Sequence, residues 1–193
     1  MTMAKLKVVP KSELTTAEIS SFESKIEAAL LRMALEKDFA EGVGELVVRD
    51  CLPVADLAFA TNAWVNQAAL AANAWTQDFN TPLSAAQDNR VLAFYKVINR
   101  TLLPNIIATR FNLGAVAVLG VLQLEELYAE EEPVGFFGPI FYTEGETVRV
   151  EHYADAIVAA GGEQIGFPCM ICEPYGEQIS QDPKTRVKAA KYM

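Results

Sequence analysis

Residues 116–153, VAVLGVLQLEELYAEEEPVGFFGPIFYTEGETVRVEHY, constrain the fold more than any other stretch of the chain. Val116, Val118, Leu122 and Leu124 fall at even spacings, and Gly120 would weaken a helix there, so the run reads as a strand; a helix is the competing reading. Glu130, Glu131, Glu132 and Pro133 then break it. Three adjacent acids are read as a solvated loop, because a calcium loop needs spaced oxygen ligands with a turn glycine among them. The Gly/Pro-bounded VGFFGP turns the chain. Glu144-Gly145, between residues 140–143 and a run alternating through Val148 and Val150, has the pattern of a β-hairpin. His152 is in phase with those two valines, which predicts a histidine packed inward.

The same kind of segment recurs on both sides. Residues 91–101 and 105–114 are short β-rich runs separated by Leu102-Leu103-Pro104, and in the second Ile107, Thr109, Phe111 and Leu113 alternate against Ala108, Arg110 and Asn112. Val47 and Val48 predict a strand near 45–51 that Pro53 ends. Gly161-Gly162 marks a turn, and residues 163–173 predict a last strand with an edge or bulge at Pro168. Five or more strands after residue 90, with turns every eight to twelve residues, predict a mainly β protein: an antiparallel β-sandwich, with a jelly roll favoured.

Helix signals stand mostly ahead of this region. Thr15 and Glu18 have capping-box spacing, Leu14 and Ile19 that of a hydrophobic staple, and Ile19, Phe22, Ile26, Leu30 and Met33 follow at three- and four-residue steps. A helix over 16–41 is predicted, ended by Gly42. Leu31, Leu35 and Phe39 add a second apolar stripe, so the helix needs cover from its own domain or from a neighbouring subunit. Asn62-Ala63-Trp64 recurs as Asn73-Ala74-Trp75; eleven residues are about three helical turns, which predicts a helical insertion near 61–78 with both tryptophans on one side. That pair reads either as packing or as a platform for a carbohydrate. Residues 80–89 have turn composition and mark the best internal boundary. The expected segments are a basic leader and helix (1–43), a sandwich (44–180) and a basic tail (181–193).

Charge is divided along the chain. Lys5, Lys7 and Lys11 precede any acid, and Lys184, Arg186, Lys188 and Lys191 follow the last one; take those seven from the 16 basic residues and nine face 25 acids. So acidic a body argues against nucleic acid as a direct partner and suits basic ends lying on a neighbour's acidic surface. No apolar run approaches the roughly 20 residues of a membrane span, leaving peripheral membrane contact as the most a membrane would offer. The leader lacks the pattern of a signal peptide, so synthesis and folding in a cytoplasm are expected.

Chemical motifs are few. Cys169 and Cys172 form a CxxC, but residues three apart on a strand point to opposite faces, so the predicted strand makes the spacing accidental. Cys51 and His152 would complete four zinc ligands, though nothing local joins them. Arg49 and Asp50 read as an exposed pair or part of a site. Nucleophile and phosphate-loop motifs are lacking, and no cofactor, metal site or catalytic residue is assigned.

With a charged leader and helix before GELVVRDCLP, β-rich segments ending in CMICEPYGEQIS and a basic tail, the layout resembles that of single-jelly-roll virion proteins, the coats or decorations of icosahedral viruses and phages. The resemblance spans about residues 45–180. It implies self-association without catalysis, with other copies or other virion proteins as partners and the virion as location. On that reading Phe22, Ile26, Leu30 and Met33 of the helix and Lys184, Arg186 and Lys188 of the tail are the candidate assembly residues. The alternatives are a ligand-binding or adhesion module, for carbohydrate through Trp64 and Trp75, and a zinc protein using the cysteines.

Overall fold

The computed structural model describes residues 5–37, 46–82, 89–115, 117–129 and 133–174, and in it the β-rich runs form two stacked sheets. The five-stranded sheet has the order β1 (Lys5–Leu6), β7 (Ala117–Gln123), β6 (Ile106–Leu113), β9 (Thr147–Ala154) and β4 (Ala74–Pro82). The second sheet has the order β2 (Val9–Pro10), β8 (Val134–Thr143), β5 (Val91–Asn99), β11 (Cys169–Pro174) and β3 (Leu46–Asp50), with β10 (Ile165–Gly166) also paired to β5. The expected mainly β sandwich is the observed architecture. Between β3 and β11 the long strands change sheet at every connection except the β6–β7 hairpin. The resulting orders, β3-β11-β5-β8 and β4-β9-β6-β7, are compatible with a jelly roll.

This connectivity corrects the hairpin expected at Glu144-Gly145. Strands β8 and β9 do flank that turn, where Gly145 takes φ +80°, but β8 pairs with β5 while β9 pairs with β4 and β6. The turn is a corner between sheets. VGFFGP is no turn either; it lies inside β8. The strand expected in VAVLGVLQLEELY is β7, but it ends at Gln123 and a single helical turn, α3 (Glu125–Ala129), follows. Val116 and Glu130 to Glu132 lie outside the described residues.

Two cores follow from strand alternation. Leu92 and Phe94 of β5, Ile171 of β11, Phe137 and Tyr142 of β8, and Phe111, Val148 and Val150 opposite fill the space between the sheets. Val91, Ala93, Tyr95, Phe136, Met170 and Cys172 alternate with them onto the outer face of the six-stranded sheet. Helix α1 (Thr16–Glu36) covers that face through Ile26, Leu30 and Ala34, one turn apart each. Cover on both faces explains why β5 is apolar almost throughout. The capping box forms as predicted: Glu18 N–H donates to Thr15 Oγ1 (3.2 Å) and Thr15 N–H to Glu18 Oε2 (2.8 Å). Leu14 and Ile19 both pack against this second core. The helix stops at Glu36, with Lys37 as its C-cap, short of the predicted end near 41; Phe39 and Gly42 lie outside the described residues.

The basic leader pairs with both sheets, β1 parallel to β7 and β2 antiparallel to β8. Leu6 fills the notch over Gly120, where an added Cβ would stand 2.6 Å from its side chain, and Val8 does the same at Gly135, at 2.4 Å. Six residues thereby tie together the two sheet edges on one side of the sandwich.

The helical insertion expected near 61–78 is not there. Residues 58–73 form a loop with isolated bridges at Leu70 and Ala72, and residues 74–82 are β4. The eleven-residue echo suggested a helix, but Asp78 accepts the Gln67 and Ala68 N–H groups (2.6 and 3.0 Å), and Trp75, Thr76 and Phe79 are at home on a strand beside β9. The short helical insertion is instead α2 (Pro53–Leu57), with proline in its first turn.

Candidate functional site

The helix residues singled out for assembly are used within the subunit. Ile26 and Leu30 are buried against the six-stranded sheet, and Phe22 and Met33 pack at the same core, with the Phe22 ring 6.2 Å from those of both Tyr95 and Phe136. Of the second stripe, Leu35 remains exposed. Lys184, Arg186 and Lys188 lie outside the described residues.

The reactive side chains are sealed. Cys169 faces the inter-sheet core and Cys172 the core under α1, as strand geometry requires of positions three apart. Cys51 joins Cys169, donating its backbone N–H to the Cys169 carbonyl (2.9 Å); burial pushes the Cys169 thiol well up, and the Cys51 thiol adds to this. His152 is fully buried, its ring stacked on Phe167 (5.8 Å), with Nδ1 2.8 Å from Thr109 Oγ1 and Nε2 3.2 Å from Asp78 Oδ2. This Thr–His–Asp line resembles a catalytic relay in composition only, since no substrate reaches it; it holds the 65–72 segment to β4. Among the described residues no three His, Cys, Asp or Glu side chains are placed to hold a metal.

Arg49 belongs to a buried charge quartet that sequence reasoning missed. It bonds Asp56 and Glu173, and Arg90 reaches the same two carboxylates at 3.3 and 2.5 Å. The hydrogen bonds that Arg49 donates to Asp56 push its guanidinium further towards the protonated form, against the opposing effect of its burial. The partners come from α2, β11 and the approach to β5, a convergence no sequence spacing announces. Asp50, its expected partner, is exposed.

Among the described residues, two surfaces remain open. One is the outer face of the five-stranded sheet. There Arg110 lies over the Trp75 ring (4.6 Å) beside Tyr153 and also bonds Glu151, which Arg149 (2.6 Å) and Asn112 (2.8 Å) bond as well. Burial pushes the Glu151 carboxyl up, but these three donors outweigh it and hold it below the usual range. Trp64 is elsewhere, edge-on to Phe59 and pressed onto Gly166, where a Cβ would stand 2.3 Å from its own. The two tryptophans therefore do not form the common platform that the sequence echo suggested.

The other is one end of the sandwich, where the 58–73, 100–105 and 155–164 loops meet. A buried knot holds them: Glu163 N–H donates to Asn66 Oδ1 (2.8 Å), Asn66 Nδ2 to the Ala159 carbonyl (2.7 Å), and Asn105 N–H to Glu163 Oε1 (2.6 Å). From this rigid base Leu102, Leu103 and Ile157 stand 96%, 85% and 80% exposed. An apolar pair in a loop between Thr101 and Pro104 was the signal available in the sequence.

The site and fold thus define a β-sandwich protein with sealed thiols and imidazole and an apolar loop end. No family model, curated protein or solved structure matches the chain.

Proposed function

We propose that the protein is a self-assembling structural protein, a coat or decoration component of a virion, acting through contacts with its own copies or with other virion proteins. The observation that carries this reading is the loop end, where three large apolar side chains stand in water on a hydrogen-bonded base. Water-exposed leucines on a rigid loop are a standing cost in a monomer and a gain on association. Further support comes from the strand order, compatible with the jelly roll that recurs in viral capsid domains. The sequence adds a basic tail to an acidic body, so tails can lie on neighbours. Light scattering and negative-stain microscopy of the full chain test the reading: it expects particles far above the 21.1 kDa monomer, weakened when residues 182–193 are removed. A monomer at all concentrations overturns it.

A second reading is favoured by Trp75, Tyr153 and Arg110 on the open sheet face, an aromatic and hydrogen-bonding surface of the kind sugars stack on. Jelly rolls also recur in lectins. A shift in Trp75 fluorescence with a glycan, lost in Trp75→Phe, would support it; an unresponsive glycan panel removes it.

A further inference from the structure

Leu102 and Leu103 do not stand alone at the loop end. Beside their loop opens a cavity of about 300 Å³, lined by Ala63, Trp64, Val65 and Ile98 with Asn62, Arg100 and Gln164. The Arg100 backbone N–H bonds the Gln164 carbonyl (2.9 Å) and the Gln164 N–H bonds Thr101 Oγ1 (2.9 Å), so cavity and leucine loop are fixed relative to each other. One end of one chain carries both an apolar knob and an apolar hole, and the knob cannot fold back into its own hole while those bonds hold its loop.

We propose that this end is a self-docking surface in which Leu102 and Leu103 of one copy seat in the Ala63, Trp64, Val65 and Ile98 cavity of a second copy. The inference rests on the self-assembly reading above and adds where the copies meet. Charge favours the same occupant. Arg100 is exposed and forms no ion pair among the described residues, and the same holds for Asp155 on the adjoining loop; opposite charges left open at one end can pair between copies. The net charge of −9 works against an anionic lipid surface as the occupant. Because knob and hole lie side by side at one end, two copies facing each other across a twofold axis can each seat a knob in the other's hole, an isologous contact that closes a pair.

The decisive experiment uses two full-length variants at exposed positions, the double substitution Leu102→Glu/Leu103→Glu, which spoils the knob, and Ala63→Arg, which blocks the hole. Mass is measured by light scattering and sedimentation over a concentration series, with circular dichroism as the folding control. Wild type is expected to grow in mass with concentration and each variant alone to stay at 21.1 kDa, with its self-affinity weakened about a hundredfold. An equimolar mixture of the two variants is expected to form a one-to-one dimer, since the hole of the first accepts the knob of the second; nonspecific apolar clustering does not give that rescue. Wild type that assembles while either variant assembles equally well overturns the docking surface and leaves self-assembly standing through another face. A wild type that is monomeric throughout overturns both. Monomeric wild type that sediments with phosphatidylcholine vesicles, while the double variant does not, assigns the leucines to a lipid surface and overturns the proposal.

Discussion

Asp56 holds Arg49 by both carboxylate oxygens, Oδ2 at 2.7 Å from Nη1 and Oδ1 at 2.8 Å from Nη2. The same Oδ2 accepts the Leu52 N–H (2.6 Å), so the contact ties α2 to the residue before it and, through Arg49, to β3. With Glu173 and Arg90 the group has two positive and two negative charges, and Asp56 and Glu173 are wholly buried. Removing one carboxylate leaves two guanidiniums facing one. Asp56→Ala is expected to lower unfolding free energy by about 3–5 kcal/mol, the cost of breaking a buried pair. Urea denaturation measures it; a loss below about 1 kcal/mol, the range of surface pairs, would mean that water reaches the quartet.

Asp78 does a comparable task at the loop end. One oxygen takes the Gln67 and Ala68 N–H groups and the other faces His152. Asp78→Ala leaves two amides without their acceptor. A loss of about 1–3 kcal/mol is expected. Amide exchange locates it: Gln67 and Ala68 should exchange faster than the amides of β9, and uniform acceleration would show that the residue supports the whole core instead.

Alkaline pH tests the sealed thiols. Burial pushes the Cys172 thiol up to about 11, with the neighbouring Glu173 adding to this. The folded state therefore holds this proton more tightly than the unfolded chain, whose thiol titrates near 9. Its contribution is complete below pH 9 and is lost as pH rises through 11. Stability should fall across that window, and Cys172→Ala should flatten the fall. Burial raises the Tyr95, Tyr128 and Tyr142 hydroxyls too, so the difference between wild type and variant is the informative curve.

How legible these features were in the sequence depended on how local their causes are. The capping box at Thr15 and Glu18 needs only four residues, and it formed as read. Alternation such as Val148, Val150 and His152 names a face, and it placed the histidine inside. Neither pattern says which sheet a strand joins. Glu144-Gly145 looks the same in a hairpin as at a corner, because pairing partners such as Val91 and Thr143 lie 52 positions apart. The Trp64 and Trp75 echo misled for a related reason: helical spacing is a local argument, and the Asp78 side chain and strand β9 overrode it. The charge quartet was invisible because Arg49 finds Glu173 across 124 positions. The exposed leucines were readable, since an apolar pair in a turn needs an explanation wherever the chain folds.

Helix α1 offers the sharpest division between a subunit's own fold and its contacts. Ile26 and Leu30 are buried against β5 and β11 of the same chain, so their loss should act on the isolated subunit. Each residue cut to alanine is expected to cost about 2–5 kcal/mol through lost burial and the cavity left behind. The effect should be the same at every protein concentration, because no second copy is needed to cover these side chains. Leu35→Ala, at a position 59% exposed, should leave the dilute subunit nearly unchanged. Thermal melting across a hundredfold range of concentration separates the cases. A deficit in Ile26→Ala or Leu30→Ala that shrinks on dilution would place a neighbour at the helix, whereas a constant deficit keeps α1 as the outer layer of a single subunit and leaves the proposed assembly to the loop end and the tail.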